Sequence, residues 1–302
     1  MKKDLAVLLS TYNGSQYLEE QLNSLLLQDY QGFDIIIRDD GSSDGTIDLL
    51  KKYSEMGIKV TYGNNIGYVK SFFRLLKDNI KKYDYFAFCD QDDYWYKNKI
   101  SKAIGALKRE KNDTPVLYFS SYEIVDENLN LIGYPYKPKL LSFVNALVEN
   151  VVPGCSCVFN KAAGMIVLKH LPEQGVRFHD WWLFLTISAL GKVIYDPVIL
   201  FKYRQHGKNT IGTTCGIIDN IMKKIKNRLK GNKTIPSLIF QARLFYDSYH
   251  TELSNENKKV VLSFINTEKC INERLRWFFS KTRKRQSITS DIFLRIAILF
   301  QL

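Results

Sequence analysis

The amino-acid sequence predicts an α/β fold with a mainly parallel sheet, followed by a basic helical extension. Apolar runs of strand length alternate with segments of helical apolar spacing in the first 120 residues, and this alternation is typical of βαβ units. Later in the chain, amphipathic helical spacing replaces the alternation and positive charge accumulates. We therefore expect a body at residues 1–215 and a helical extension at residues 216–302.

The predicted strands and helices follow one another in a regular order. Five short apolar runs predict strands, at residues 5–9, 35–37, 59–62, 85–89 and 116–119. After each of the first four runs, apolar residues recur every three or four positions, which predicts a helix. Further strands are predicted at 151–157 and 198–201, and further helices at 181–190 and 288–300.

The composition is that of a folded globular protein, with 45% hydrophobic and 25% charged residues. It argues against disordered, collagen-like and disulfide-scaffold proteins. Nearly all of the net charge of +12 lies in the last third, because residues 1–206 hold 25 Lys and Arg against 24 Asp and Glu, whereas residues 207–302 hold 18 against 7. Five cysteines without a CxxC pair favour a reduced, cytosolic setting. No run of eighteen apolar residues occurs, so we expect no membrane-spanning helix.

Polar side chains follow each of the first four predicted strands, at residues 10–13, 39–42, 63–67 and 90–93. Ligands of such sheets bind beyond the carboxyl ends of the strands, so we expect these groups in one crevice. Asp90, Asp92 and Asp93 would repel one another without a cation. Their oxygen ligands favour Mg²⁺ or Mn²⁺. The alternative interpretation is a solvated acidic turn that caps the following helix.

The absence of two phosphate-binding motifs argues against two classes of nucleotide-binding protein. No GxGxxG follows the first strand and no GxxxxGK[ST] occurs, which argues against dinucleotide oxidoreductases and P-loop NTPases. A metal-dependent nucleotidyltransferase stays open as an alternative, but the loop at 10–17 lacks the cation that a triphosphate would need. A non-enzymatic membrane-docking scaffold of the same fold is the second alternative.

The polar clusters resemble those of a known family. They are Ser-Thr-Tyr-Asn at 10–13, Asp-Asp-Gly-Ser-Ser-Asp-Gly-Thr at 39–46, Asn-Asn-Ile-Gly at 64–67 and Asp-Gln-Asp-Asp at 90–93. Together they are similar to the motifs of inverting family 2 glycosyltransferases of the GT-A fold, a Rossmann-like architecture. The resemblance continues through His-Asp-Trp-Trp at 179–182 and Tyr-Arg-Gln-His-Gly at 203–207, and so covers about the first two thirds of the chain.

Within that family, the chain looks most like bacterial rhamnosyltransferases of surface polysaccharide synthesis, on Asn-Ile-Gly-Tyr-Val-Lys-Ser-Phe at 65–72 and the motif at 203–207. The resemblance implies a GT-A domain that transfers a sugar with inversion and uses Mn²⁺ or Mg²⁺. The implied donor is a dTDP- or UDP-sugar, with L-rhamnose as one candidate. The implied acceptor is a glycan or a lipid-linked glycan.

The resemblance also assigns roles to residues around the donor. Tyr12 would lie against the base, and Asp40 would accept a hydrogen bond from the imide N–H of uracil or thymine. Asp92 would bind the metal, with His206 and Asp93 as further ligands. The donor-binding residues implied in this way are Ser10, Thr11, Tyr12, Asn13, Asp39, Asp40, Gly67, Lys70, Asp90, Gln91 and Arg204.

Asp180 is the predicted catalytic residue. In an inverting transfer the acceptor hydroxyl loses its proton as it attacks the anomeric carbon, and a carboxylate on that face acts as general base. The family pattern places an acidic residue at this position, although many members have Glu-Asp where this chain has His179 and Asp180. From the residues alone, the alternative is that Asp180 caps the helix that it begins.

Three of the implied residues have a second interpretation from their chemistry alone. Lys70 also fits a solvated cation on a helix. Arg204 also fits a structural pair with a carboxylate such as Asp196. His206 also fits a loop histidine that is hydrogen-bonded to the backbone.

The extension is predicted to contact an anionic membrane surface, which would place the protein in the cytoplasm, peripheral on the inner face of the cell membrane. Its cations cluster at 223–233 and 274–285, next to helical amphipathic spacing, and this combination suits anionic lipid. Two alternatives are that the extension packs on the body or on a second copy, forming a homodimer. Nucleic acid ranks lowest, because no nucleic-acid-binding motif accompanies the charge.

Overall fold

The computed structural model describes residues 3–207 and 234–301, so the basic cluster predicted at 223–233 lies outside the described residues. The described residues form one nine-stranded sheet with helices on both faces. The strands are β1 (Leu5–Thr11), β2 (Phe33–Asp39), β3 (Lys59–Tyr62), β4 (Tyr85–Cys89), β5 (Tyr94–Trp95), β6 (Val116–Val125), β7 (Leu131–Gly133), β8 (Val158–Asn160) and β9 (Lys192–Arg204).

Seven helices lie in the body and four in the extension, counted over the described residues. Those of the body are α1 (Leu18–Leu26), α2 (Thr46–Glu55), α3 (Tyr68–Asn79), α4 (Lys99–Leu107), α5 (Phe143–Ala146), α6 (Lys161–Lys169) and α7 (His179–Leu190). Those of the extension are α8 (Thr234–Tyr249), α9 (Asn255–Asn266), α10 (Ile271–Phe279) and α11 (Ile288–Phe300).

The sheet is mainly parallel, as the sequence predicts. The strand order is β3-β2-β1-β4-β8-β6-β9-β5, and β7 pairs with β6. Strand β1 is parallel to β2 and β4, β2 is parallel to β3, and β6 is parallel to β9, whereas β8 is antiparallel to both of its neighbours. The carboxyl ends of β1 to β4 therefore lie at one edge of the sheet, where their polar loops meet.

The predicted strand at 151–157 is wrong. Residues Gly154–Ser156 form a short 3-10 turn, and the strand β8 begins only at Val158. The backbone N–H and the hydroxyl of Ser156 both donate to the carbonyl of Pro153. These two local bonds curl the chain before it can extend.

Helix α7 is the most buried helix of the body. The helix has apolar residues on all of its sides, and each residue from 179 to 187 is buried. This is expected for a helix without a polar face. It packs in a core that also contains buried side chains of the extension. These side chains are Ile235, Leu238, Ile239, Ala242, Phe245, Tyr249, Leu253, Val261, Phe264, Trp277, Leu294 and Ile298. The extension therefore packs on the body, one of the arrangements left open by the sequence.

Candidate active site

A cleft of about 1200 Å³ opens at the carboxyl ends of β1, β2 and β4. Most of the side chains that the sequence singles out line it, namely Ser10, Thr11, Tyr12, Asn13, Asp40, Gly67, Asp90, Gln91, Asp92, Asp180 and His206. Four do not line it, namely Asp39, Lys70, Asp93 and Arg204. The parallel sheet thus brings together residues that are up to 196 positions apart in the sequence.

The loop after β1 is held against the loop after β4 by one side chain. The amide of Gln91 accepts a hydrogen bond from the backbone N–H of Tyr12 at 2.8 Å and donates to the carbonyl of Tyr12 at 3.1 Å. Asn13, in a left-handed conformation with φ of 47°, accepts a hydrogen bond from the N–H of Ser43 at 2.8 Å. The Tyr12 ring is left half-exposed at the cleft, so it offers a flat apolar face to a planar ligand.

Asp39 differs from the donor-binding role implied for it. Its carboxylate is fully buried and accepts hydrogen bonds from the backbone N–H groups of Gly41 and Ser42 and from the hydroxyls of Thr11 and Ser42. Four donors from its own loop and from β1 occupy this carboxylate. Asp39 therefore shapes the loop after β2, and the neighbouring Asp40 reaches the cleft.

Asp40 joins the loop after β2 to the start of α3. Its Oδ1 accepts from the N–H of Ile66 at 3.0 Å, and its Oδ2 accepts from the N–H of Gly67 at 2.8 Å. Arg38 forms an ion pair with the same carboxylate. Gly67 has a φ of 83°, a conformation that favours glycine. Lys70 is exposed outside the cleft, because α3 turns its Phe72 face inward.

Asp92 and His206 form a paired donor set in the cleft. The Oδ2 of Asp92 lies 2.8 Å from the Nε2 of His206, although 114 positions separate them. Asp90, Asp93 and Cys155 form a neighbouring group, with ligand atoms within 4.8 Å of one another. Burial and the neighbouring Asp93 and Asp92 raise the pKa of Asp90. Burial and the charge of Asp92 raise the pKa of Asp93 to about 7.

This carboxylate cluster fits a divalent cation. Among the described residues, the buried Oδ2 of Asp93 has no hydrogen-bond partner, and a bound cation would satisfy this oxygen. Carboxylate oxygens together with one imidazole nitrogen suit Mn²⁺, and the oxygens alone suit Mg²⁺. Asp92 and His206 are the residues that would hold the ion at the cleft, while Asp93 does not line the cleft.

Arg204 also differs from its implied donor-binding role, and it does not pair with Asp196. Its guanidinium is buried, donates to the carbonyls of Asp92 and Glu127, and forms an ion pair with Glu20. Asp196 instead accepts a hydrogen bond from the hydroxyl of Tyr118. The side chain of Arg204 therefore supports the loop after β4 through the carbonyl of Asp92.

Replacing Arg204 by Met is expected to lower the free energy of unfolding by about 3 kcal/mol, because two buried carbonyls lose a charged donor. Denaturant unfolding measures this change. Arg74→Met is the matched control, since Arg74 forms an exposed ion pair with Asp78 that contributes about 1 kcal/mol or less. If the two variants were equally stable and Arg204→Met had a raised KM for the donor, Arg204 would instead be a diphosphate-binding residue.

Asp180 lies in the first turn of α7 with its carboxylate at the cleft. Its Oδ2 accepts a hydrogen bond from the amide of Asn150 at 3.0 Å, and its Oδ1 accepts from the N–H of Trp181 at 2.6 Å. Burial raises the pKa of Asp180 to about 6, while these donors oppose the rise. A carboxyl group with a pKa near the working pH is suited to take up a proton.

His179 lies beside Asp180 in an aromatic pocket. Its ring stacks on Phe72 with a centroid distance of 4.0 Å and meets the edge of Phe88 at 5.0 Å. Neither ring nitrogen has a hydrogen-bond partner among the residues that the structure describes. Burial lowers the pKa of His179 to about 3, so the ring is neutral at physiological pH and adds no positive charge next to Asp180.

The structure adds residues to the cleft wall that the sequence analysis missed. Asn150, Tyr134, Tyr136 and Gln286 all line the cleft, and Asn150 holds the carboxylate of Asp180. No motif marks these positions. Asn150 precedes an apolar segment and Gln286 lies within a basic one, so nothing in the local pattern distinguishes them from surface residues.

Comparison with known proteins agrees with this geometry. The family model described as Glycosyl transferase family 2 matches residues 6–163. The dTDP-rhamnosyl transferase RfbG of Shigella flexneri is 30% identical over 222 residues, covering 68% of this chain and 73% of that protein. The UDP-Glc:alpha-D-GlcNAc-diphosphoundecaprenol beta-1,3-glucosyltransferase WfaP of Escherichia coli is 27% identical over 67% of this chain and 77% of its own.

Among solved structures, residues 1–349 of S. aureus TarS in complex with UDP-GlcNAc match with a TM-score of 0.57 and 17% identity. This alignment covers 99% of the present chain and 91% of the TarS chain, so the likeness in fold includes the helical extension. Three findings agree on the family: the family model covers half of the chain, one relative is 30% identical, and the TarS structure shares the fold. They agree with the cleft at the ends of the parallel strands. The chain belongs to glycosyl transferase family 2 and is a nucleotide-sugar glycosyltransferase of the GT-A fold.

Proposed function

We propose that the protein is an inverting, metal-dependent glycosyltransferase of bacterial surface polysaccharide synthesis. L-rhamnose from dTDP-rhamnose is the first candidate for the transferred sugar, supported by the 30% identical dTDP-rhamnosyl transferase. A lipid-linked glycan is the first candidate for the acceptor, supported by the diphosphoundecaprenol in the name of a 27% identical relative. The observation that carries the proposal is a buried carboxylate, Asp180, in the same cleft as the Asp92 and His206 pair.

The nucleoside end of the donor lies against the loops after β1 and β2. Tyr12 offers its ring to the base. Among the described residues, the Oδ2 of Asp40 has a single hydrogen-bond donor, the N–H of Gly67, and each carboxylate oxygen has two lone pairs. It can therefore also accept the imide N–H of uracil or thymine, which both UDP- and dTDP-sugars carry.

The diphosphate end lies at Asp92 and His206. Asp92 and His206 would hold a divalent ion there, and the ion would offset the negative charge that develops on the leaving phosphate. Asp180 takes the proton of the acceptor hydroxyl onto its carboxylate while the oxygen of that hydroxyl attacks the anomeric carbon and the bond to the nucleoside diphosphate breaks. Asn150 and the N–H of Trp181 fix the orientation of the carboxylate during this step.

The proposed base predicts the pH dependence of transfer. With the pKa of Asp180 near 6, the ionised form dominates above that pH. Below it the protonated form cannot accept a proton, so kcat/KM for the acceptor is expected to fall about tenfold per pH unit. Asn150→Ala removes a donor that stabilises the ionised form, and the acid limb is then expected to move to higher pH. Initial rates between about pH 5 and 8 at saturating Mn²⁺ test both statements; a flat profile would contradict the proposal.

A donor screen tests the proposed function directly. Release of nucleoside diphosphate is measured for dTDP-rhamnose, UDP-glucose, UDP-GlcNAc and GDP-mannose with Mn²⁺, first without acceptor and then with a lipid-linked glycan. We expect acceptor-dependent release from a dTDP- or UDP-sugar and a product of inverted anomeric configuration. Release of pyrophosphate from a nucleoside triphosphate would favour a nucleotidyltransferase, and no release from any donor would favour a scaffold.

A further inference from the structure

Helix α11 carries its apolar face outward. Thr289 apart, the residues exposed along the helix are large and apolar, namely Ile288, Ile292, Phe293 and Phe300. The buried side instead carries two polar residues, Ser290 and Asp291, next to Leu294 and Ile298. A surface helix of a globular protein normally has the reverse arrangement.

Asp291, on the buried side of α11, holds the helix in this orientation. The Oδ1 of Asp291 accepts hydrogen bonds from the N–H groups of Lys284 at 2.7 Å and Arg285 at 3.0 Å. Its Oδ2 accepts from the Nε of Arg295 at 2.7 Å. A rotation of α11 that hid its apolar face would move Asp291 away from these hydrogen-bond donors and would expose Leu294. The outward apolar face is therefore built into the fold.

Helix α10, which packs against α11, also carries exposed apolar residues and cations. Ile271, Leu275 and Phe279 are exposed, and 73% of the surface of Phe279 is accessible. The exposed cations Arg276 and Lys281 lie on the same helix and in the turn that follows it. We call the exposed apolar residues of α10 and α11, together with these two cations, the C-terminal apolar face.

Negative charge is balanced within this region. Residues 271–301, all of which the structure describes, contain two carboxylates, Glu273 and Asp291. Glu273 forms an ion pair with Arg276, and Asp291 forms one with Arg295. Large apolar patches rimmed by polar residues mark interaction sites, and a net positive rim selects an anionic partner.

We infer that the C-terminal apolar face binds the surface of an anionic lipid bilayer, with α11 lying in the plane of the interface. At about 1.5 Å per residue, a 13-residue helix is about 20 Å long, less than the roughly 30 Å of a bilayer core. No helix among the described residues is both long and apolar enough to cross a membrane. A second copy of the chain fits less well, because residues 271–301 hold seven Lys and Arg against two Asp and Glu, and two such regions would repel each other.

The position of the face relative to the cleft agrees with this partner. Gln286, two residues before α11, lines the cleft. Its side chain accepts a hydrogen bond from the N–H of Lys139 at 2.7 Å and donates to the carbonyl of Leu140 at 2.6 Å. A bilayer-bound α11 thus holds one wall of the cleft near the lipid. This inference deepens the proposed function, since it places the active site where a lipid-linked acceptor resides.

Vesicle flotation of the full chain tests the inference. We expect flotation with vesicles of phosphatidylcholine and phosphatidylglycerol at low salt, and much less with phosphatidylcholine alone. The double variant Ile292→Ser, Phe293→Ser is expected to lower the partition coefficient about tenfold or more, because two inserted apolar side chains are lost. Met165→Ser is the matched control, since Met165 is equally exposed but lies on α6 of the body; its binding is expected to equal that of the parent.

Three outcomes would overturn the inference. They are equal flotation of the double variant and the parent, equal binding to neutral and anionic vesicles, and light scattering that shows a dimer converted to a monomer by the double variant. Far-UV circular dichroism checks that both variants fold. Transfer to a water-soluble glycan is expected to be the same in the double variant and the parent. Flotation without any transfer would contradict the proposed function alone.

Discussion

Asp180→Asn is expected to lower kcat of sugar transfer about 10²- to 10⁴-fold, the usual range for a lost general base. The amide has nearly the shape of the carboxylate but cannot accept the proton of the acceptor hydroxyl. The affinity for UDP or dTDP is expected to stay unchanged, because Asp180 has no assigned contact with the nucleotide. Acceptor-dependent nucleotide release measures the first quantity, and isothermal titration calorimetry measures the second.

Asp44→Asn is the matched control for this prediction. Asp44 is another carboxylate of the cleft, but it accepts hydrogen bonds from Ser15 and Thr46 and its pKa is lowered to about 2. It therefore cannot serve as a base near neutral pH, and its replacement is expected to change kcat far less. A kcat in Asp180→Asn within tenfold of the parent would remove Asp180 as base.

Asp180→Asn also separates a catalytic role of Asp180 from a structural one. Burial raises the pKa of Asp180 above its ordinary value, so the folded state binds a proton more tightly than the unfolded state does. Near neutral pH the ionised group is therefore unfavourable for folding, and the neutral amide is expected to maintain or raise Tm. A simple helix cap would behave in the opposite way, because capping side chains stabilise the helix that they begin.

The main outline of the fold was predictable from the alternation of apolar runs and helical spacing. Continuous apolar strands such as β1 and β4 are buried on both faces of a parallel sheet, and this burial is what makes their sequence pattern clear. The strand β8 was harder to place, because hydrogen bonds of Ser156 to Pro153 shorten it at its start. Local polar bonds of this kind leave no trace in hydrophobic periodicity.

The cleft was predictable for the same topological reason, but individual roles were not. Asp39 and Asp40 are adjacent carboxylates, and only the packed structure shows that four donors occupy the first while the second reaches the cleft. Arg204 lies in a motif next to His206, yet its side chain points to backbone carbonyls beneath the loop. Side-chain direction depends on tertiary partners, which a single sequence does not reveal.

The orientation of the extension shows a similar limit. The spacing of Ile288, Ile292 and Phe300 predicts an amphipathic helix, and α11 confirms it. Amphipathicity alone implies that the apolar side is the buried one. In this chain the side that carries Asp291 is buried, so the structure gives the direction of the apolar face, which the sequence left open between lipid and the body.

Substitutions of Asp92 and His206, the proposed metal ligands, are expected to have the second large effect on transfer. Asp92→Ala is expected to lower kcat at least about 100-fold, because the leaving diphosphate loses several kcal/mol of charge stabilisation. His206→Ala, which keeps the carboxylate, is expected to weaken Mn²⁺ binding about 10- to 100-fold. Titration of Mn²⁺ followed by electron paramagnetic resonance, with UDP present, measures binding independently of activity. Chelation by EDTA is expected to abolish transfer, and added Mn²⁺ to restore it.

His250→Ala is the matched control for the histidine variant, because His250 is exposed on the extension and does not line the cleft. Asp92 and His206 are 2.8 Å apart, a distance that also fits a structural contact between the two side chains. An Asp92→Ala protein that bound Mn²⁺ as tightly as the parent would show that this pair is a structural contact. Loss of Mn²⁺ affinity in both cleft variants, with none in His250→Ala, would instead assign the ion to the junction of the β4 loop and the end of β9, where the diphosphate is proposed to lie.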